Sequence, residues 1–274
     1  MDTKRDILFD LDKIANYLKP YREYANTEYN WRVPLEAELL DGLIMEYSTL
    51  VNIIRLIEEK NLFKRNIILK EIMCKIIDEN TLPQSKNIIF KWIVSKWGGF
   101  NVKDIDKIYE SVITFQQQKL KTNQLSFQGI ASISKILSFM FPKEYIIYDA
   151  RVAYAINWIL LKTKSSKIFF PIPESRNSKL NAINVSTLIR TSNAKPYIDN
   201  IGNSKIISKC DKNLFIDKSK TYVTLCDLIS QINMNLWDDD KKQYPFYTEM
   251  LLFLLADTKI FSDILNSCSL TITR

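Results

Sequence analysis

Apolar residues recur along most of this chain at the three- and four-residue spacing of a helix. Residues 37–58 place Leu39, Leu40, Leu43, Ile44, Tyr47, Val51 and Ile54 at that spacing, and residues 62–78 repeat it with Leu62, Ile68, Ile72, Met73, Ile76 and Ile77. The stretch "ENTLPQSK", residues 79–86, predicts a break. "NIIFKWIVSKWGG" then reads as a short helix stopped at Gly98-Gly99, since glycine readily takes the left-handed conformation that ends helices. Residues 102–120 put Ile105, Ile108, Val112 and Phe115 on one face. After the polar "KTNQLSFQG", a helix from Ile130 carries Ile133, Ile136, Leu137, Met140 and Phe141, and Pro142 ends it. "YIIY", residues 145–148, is short and extended. A further helix opens at Asp149, with Val152, Ala155, Ile156, Ile159 and Leu160 inward. Residues 163–220, rich in Ser, Asn and Lys, predict long loops with short helices, and the apolar "FYTEMLLFLLADTKIFSDIL" predicts a helix near the end.

With only five glycines and eight prolines, this pattern predicts a mainly α protein with two helical lobes around a cleft. Three regions follow: an N-terminal helical region 1–85, a core 86–163, and a C-terminal helical region with long loops, 164–274.

Composition narrows the chemistry. Hydrophobic residues make up 46% and charged residues 25%, a globular balance. No apolar run approaches the ~18 residues of a membrane span, and "MDTKRDILFD" has no signal-peptide core, so the expectation is a soluble, cytoplasmic chain with no membrane partner. The four cysteines form no CxxC pair, which argues against a zinc ribbon or an iron–sulfur cluster. "WDDDKK", residues 237–242, reads as solvated acids, so neither metal nor cofactor is expected. The chain has no histidine, which excludes a Ser–His–Asp triad, a Cys–His dyad and any His-ligated metal. Acid–base work falls to Asp, Glu, Lys, Tyr or Cys. A net charge of +7 suits a polyanion such as nucleic acid, although Lys and Arg are spread along the whole chain.

Residues 102–161 read helix, polar hairpin, helix, turn, aspartate, helix. This order resembles the helix-hairpin-helix DNA glycosylase superfamily, which includes the 8-oxoguanine and adenine-mismatch enzymes. That family's hairpin typically reads LPGVG; "LSFQG", Leu125 to Gly129, lies in its place, with Phe127 where the first glycine would be. "ASISKILSFMFPKEYIIYDARVAYAI" follows the family pattern without a gap. The resemblance implies that Phe127, Gln128, Gly129, Ile130, Ala131 and Ser132 hold DNA, chiefly by backbone amides on phosphate, helped by Arg151. It implies that double-stranded DNA is the partner and that an extruded base enters a pocket. Asp149 would stabilise charge on the sugar as the N-glycosidic bond breaks. The lyase lysine of bifunctional members falls at Ala131, implying a monofunctional enzyme that leaves an abasic site; a register one turn off would make Lys135 the nucleophile. One branch that suits the degenerate hairpin is the bacterial anti-phage glycosylases, which excise hypermodified cytosines such as glucosylated hydroxymethylcytosine. Repair of oxidised or alkylated bases is the other outcome.

Blander readings stand beside these. Asp149 also suits a helix cap. Arg151, Tyr154 and Trp158 either face DNA and the pocket or pack against the C-terminal lobe; Trp92 and Trp97 are either core or base-stacking. One of Tyr145 and Tyr148 would face the pocket. Arg176, Asn177 and Lys179 of "PESRNSKL" either contact phosphate or an unusual base, or belong to a solvated loop. A non-catalytic DNA-binding protein on the same scaffold and a helical interaction protein remain the alternative functions.

Overall fold

In a computed structural model the chain is described over residues 8–34, 47–80, 82–101, 104–118 and 125–269, and it is mainly helical. Helix α1 (Leu11–Leu18) starts where the Asp10 carboxylate accepts the Lys13 N–H, and α2 (Tyr24–Glu28) follows. Helix α3 (Tyr47–Glu58) leads to α4 (Leu62–Glu79), which Asn61 caps through the Lys64 N–H. Helix α5 (Pro83–Lys91) begins inside the expected break, because Pro83 occupies the first turn, where its missing N–H costs nothing. It continues through a wider π turn, Trp92–Trp97, and ends at Gly98 and Gly99, the latter left-handed with φ +67°.

Helix α6 (Ile105–Gln118) precedes the hairpin, α7 (Ile130–Met140) follows it, and α8 (Ala150–Thr163) follows Asp149. Short helices α9 (Ser178–Ala182), α10 (Val185–Ser192), α11 (Lys195–Ile198) and α12 (Ile206–Leu214) fill the loop-rich region. Helix α13 (Thr221–Leu236) was not among the expected elements. Its stripe of Tyr222, Leu225, Ile229, Ile232 and Leu236 is buried, but Thr, Ser and Asn break up its apolar pattern. Helices α14 (Phe246–Leu255) and α15 (Phe261–Ser267) are joined by a second π turn.

One expected face is corrected. Leu39, Leu40, Leu43 and Ile44 lie outside the described residues. Within α3, Val51 and Ile54 are 47% and 56% exposed, while Ile53 and Leu56 are buried. Both faces of this helix carry aliphatic residues, so spacing alone does not choose the inward one.

The helices pack as two groups. Helix α4 packs on α3 and α7, and α6 on α5 and α7. The second group sets α8 against α14, α1 and α10, and α13 against α1 and α14. The N-terminal helix therefore packs with elements far along the chain, and α2 touches both α4 and α14.

Two junctions position the rest. Residues 119–124 lie outside the described residues, so only Leu125–Gly129 of the hairpin is described. There the Ile130 N–H reaches the Phe127 carbonyl at 3.3 Å, and Gly129 starts α7 at φ +76°. The extended segment 145–148 is buried yet pairs with no strand among the described residues. The Tyr145 N–H meets the Phe141 carbonyl, and side chains meet groups of residues 146–148, as burial requires. Ser134 accepts the Tyr148 N–H at 2.9 Å, Tyr222 donates to the Ile146 carbonyl at 3.1 Å, and the Glu249 carboxylate accepts the Ile147 N–H.

Gly129→Ala is expected to cost about 1–2 kcal/mol, the left-handed penalty of an L residue, since a Cβ there meets nothing closer than Ile133 Cδ1 at 3.8 Å. Gly129→Asn, which tolerates that conformation, is expected to melt measurably higher than Gly129→Ala.

Candidate active-site cleft

The cleft is built around Asp149. Its Oδ1 accepts the Val152 N–H at 2.9 Å and so starts α8. Among the described residues the other oxygen takes no hydrogen bond, and the half-buried side chain lines a cleft of about 680 Å³. That volume is of the size that holds a small molecule or a base.

Lys135, on α7, lines the same cleft and is 4% exposed. Its Nζ donates to the Ala131 carbonyl at 3.0 Å and lies 4.3 Å from the centre of the Phe100 ring. Burial pushes the amine down to about 8, against the opposing pull of the Asp149 and Glu249 carboxylates. Gly98 packs on it so tightly that a Cβ would stand 2.9 Å from Lys135 Cδ and 2.7 Å from the Val94 carbonyl. The helix-ending glycine thus makes room for the lysine stem.

Glu249, on α14, borders the cleft and is 2% exposed. Behind it stands Lys70 of α4, at 3.8 Å, bonded to Ser138 Oγ at 3.2 Å and enclosed by Phe139 and Phe246. Burial raises the Glu249 carboxyl well above its ordinary range and lowers the Lys70 amine, each opposed by the other's charge. The walls are aromatic. Trp31 meets Phe253 edge-on at 5.3 Å and Trp97 at 6.1 Å. Trp97 is fixed by its N–H to Asn66 Oδ1.

The expected residues divide clearly. Asp149, Lys135, Ala131, Arg151, Trp97, Arg176 and Asn177 all line the cleft. Arg151 pairs with Asp257 at 3.0 Å and lies over the Phe253 ring; Asn177 donates to the same Asp257, and Arg176 to the Gly99 carbonyl. Phe127, Gln128, Gly129, Ile130 and Ser132 form the adjoining turn, where Lys218 sits over the Phe127 ring at 5.3 Å. Tyr145 and Tyr148 are corrected: neither faces the cleft. Tyr145 stacks on Tyr222, the Tyr148 hydroxyl donates to the Pro171 carbonyl at 2.6 Å, and Ile147 lies in the cleft instead. Trp158 is also core, with its N–H on Asp263, and Tyr154 is 1% exposed. Helix α8 is buried on nearly all sides, so a stripe on it has no free face to present. Lys179 reaches the Asp257 carbonyl.

Tyr29, Trp31, Phe100, Glu249 and Phe253 were missed, because they come from segments distant in sequence with no shared motif. The one signal was Glu249 itself, an acid inside "FYTEMLLFLL". No group of potential metal ligands occurs among the described residues, and no helix there is long and apolar enough to cross a membrane.

No protein-family model, no curated protein and no solved structure matches this chain.

Lys70→Met is expected to destabilise the fold by about 3–5 kcal/mol, because it leaves Glu249 buried without its counter-charge. Adding Glu249→Gln should recover most of that loss in denaturant unfolding. Recovery of none of it would mean that the pair's charges are not what holds this region.

Proposed function

We propose that the chain is a DNA glycosylase that draws a modified or damaged base into this cleft and breaks its N-glycosidic bond. The observation that carries this reading is Asp149: a carboxylate fixed at a helix start, one oxygen engaged by the cap and the other without a hydrogen bond among the described residues, in an aromatic-walled cleft of base size. The neighbouring turn at Gly129 would hold phosphate through the Ala131 N–H, since the Ile130, Ser132 and Ile133 N–H groups already meet backbone carbonyls, with Lys218 adding charge. As the bond to the base breaks, positive charge grows on the sugar, and a fixed carboxylate stabilises it without reorganising. Water then adds at C1′ and leaves an abasic site. Nothing in this scheme requires histidine or metal.

Lys135 favours a second step on the same product. Ala131 stands where the family's lyase lysine would fall, and Lys135, one turn on, folds its Nζ back to the Ala131 carbonyl. With its pKa near 8, about a tenth of the amine is free at pH 7, against less than about 0.1% for an ordinary lysine. On the abasic product, the free amine adds to C1′ of the ring-opened aldehyde, forming the N–C bond; the amine proton passes to the Asp149 carboxylate and water leaves as the imine forms. The imine permits strand cleavage by β-elimination.

The test incubates the protein with damaged DNA and with phage-modified DNA and measures released base and alkali-labile sites. Asp149→Asn should lower release by about 100-fold or more while leaving the melting temperature nearly unchanged, since asparagine caps a helix as well as aspartate. Equal behaviour of wild type and variant on every substrate would end the glycosylase reading. Borohydride should trap wild type on DNA but not Lys135→Met. Trapping should rise as pH passes upward through about 8, where the amine loses its proton.

A further inference from the structure

Lys and Arg are spread along the chain, but their surplus over acids is not. Residues 163–220 hold eleven of them against four Asp and Glu, a surplus of seven that equals the net charge of the whole chain. Elsewhere the two signs balance. The stretch is a closed excursion, pinned at its base where the Phe169 N–H meets the Leu214 carbonyl at 2.8 Å and the Ile216 N–H meets the Phe169 carbonyl at 2.9 Å. Soon after leaving that base it passes the cleft, which Arg176 and Asn177 line. On its return it reaches the hairpin turn, where the Leu125 N–H meets the Ser219 carbonyl at 3.2 Å and Lys218 sits over the Phe127 ring.

Helix α12 belongs to this excursion. Its one acid, Asp211, is turned inward: Arg190 donates to both carboxylate oxygens, at 2.9 and 2.7 Å, and the Tyr197 hydroxyl donates at 2.7 Å. Cys210 beside it is buried. Lys205, at the helix cap, Lys209 and Lys212 follow at four- and three-residue spacing, so they share the other face, and all three are exposed. Among the described residues none of the three meets a carboxylate, and Lys209 donates to Asn200 Oδ1 at 3.2 Å. Ile207, the exposed aliphatic residue of the helix, stands on the side away from them. An amphipathic helix enters a bilayer by its apolar side. Cys210 and Asp211 hold that side of α12 against the protein, so what the helix offers outward is charge without apolar surface. The stripe is about 10 Å long, enough for about three phosphates of one strand at ~3.4 Å each.

Resting on the DNA reading proposed above, we infer that Lys205, Lys209 and Lys212 form a second phosphate-binding face, which grips the backbone of the duplex beside the extruded base. The excursion that carries them begins at the cleft and ends at the hairpin turn, so a duplex engaged at both has this segment as its neighbour. The hairpin and the cleft would hold the nucleotide that reacts. The lysine stripe would hold its flank, whatever the sequence, because phosphate contacts position a protein without reading bases.

The probe is an unmodified fluorescent DNA duplex, titrated by anisotropy over a range of salt. Each phosphate contact adds about 0.9 to the slope of log affinity against log salt. Lys205→Gln/Lys209→Gln/Lys212→Gln should lower the wild-type slope by about 2–3 and weaken binding at about 0.1 M salt by about 10- to 100-fold. Lys209→Gln alone should remove about one from the slope. A control, Lys60→Gln/Lys75→Gln/Lys91→Gln, removes the same charge from exposed sites outside the excursion and should leave the slope nearly as it was. All six side chains are exposed, so unchanged melting temperatures check that both triples fold. An unchanged slope in the first triple, or an equal loss in both, would overturn the inference. Ile198 and Ile201, 65% and 82% exposed just before α12, make an anionic lipid surface the competitor. Phosphatidylserine vesicles bound through these lysines, with no duplex bound, would therefore overturn it too. The two readings fail separately. Loss of slope with no base released from any DNA would end the excision reading and keep the lysine face. Base release with the slope untouched would do the reverse.

Discussion

The Glu249 carboxylate is the contact on which the site's geometry depends. It accepts the Ile147 N–H, answers the Lys70 charge from the far side, and borders the cleft. Ile147 belongs to a buried extended segment that pairs with no strand among the described residues, so beyond Tyr145 its direction is set by side chains. Ser134, Tyr222 and Glu249 come from α7, α13 and α14, and together they hold residues 146–148. Asp149 is the next residue. The aim of its carboxylate is thus fixed by helices from both groups, and removing any one anchor would leave a backbone group buried without a partner.

Capping and the catalytic role proposed for Asp149 make compatible demands on it. A cap must hold its side chain in one conformation with one oxygen on the backbone, and a carboxylate meant to stabilise developing charge must also be fixed in advance. The single bond to the Val152 N–H serves both and leaves an oxygen over. The same economy holds at Gly98. It is needed for its small size rather than a special backbone angle, because the Val94 and Ile93 carbonyls and the Lys135 stem crowd the place a Cβ would take.

What could be read from the sequence was local. The helix at Ile130, the cap at Asp149 and the stop at Gly98-Gly99 are written in neighbouring residues, and these elements formed as expected. The grouping of candidates was legible where they shared the turn-and-helix segment, as with Asp149, Ala131 and Lys135. Which way a tyrosine points in "YIIY" was not, since that depends on Ser134, Tyr222 and Glu249, up to about a hundred positions away. Helix α3 failed for another reason: with aliphatic residues on both faces, only its neighbours choose the buried one. The aromatic wall was invisible because Trp31 and Phe253 meet only once the first and last thirds of the chain are folded together.

A histidine-free chain must obtain groups that titrate near neutrality by burial, and here the two buried groups shift toward each other. Desolvation raises Glu249 and lowers Lys135, while their mutual attraction opposes both shifts. Arg151 and Asp257, paired at the rim, leave little net charge there. The cleft therefore sets Asp149 and Glu249 against Lys135, with Lys70 standing behind Glu249 among aromatic rings. Such a balance tolerates a neutral guest more readily than a charged one, because an added ion would have to be met by Lys135 and Glu249, both already short of solvent. On the reading proposed above, a phosphate would lie outside the cleft, beside the Gly129 turn and Lys218. A neutral heterocycle would lie within, and a division between an anion at the rim and an uncharged ring inside is what the proposed extrusion of a base from its backbone would require.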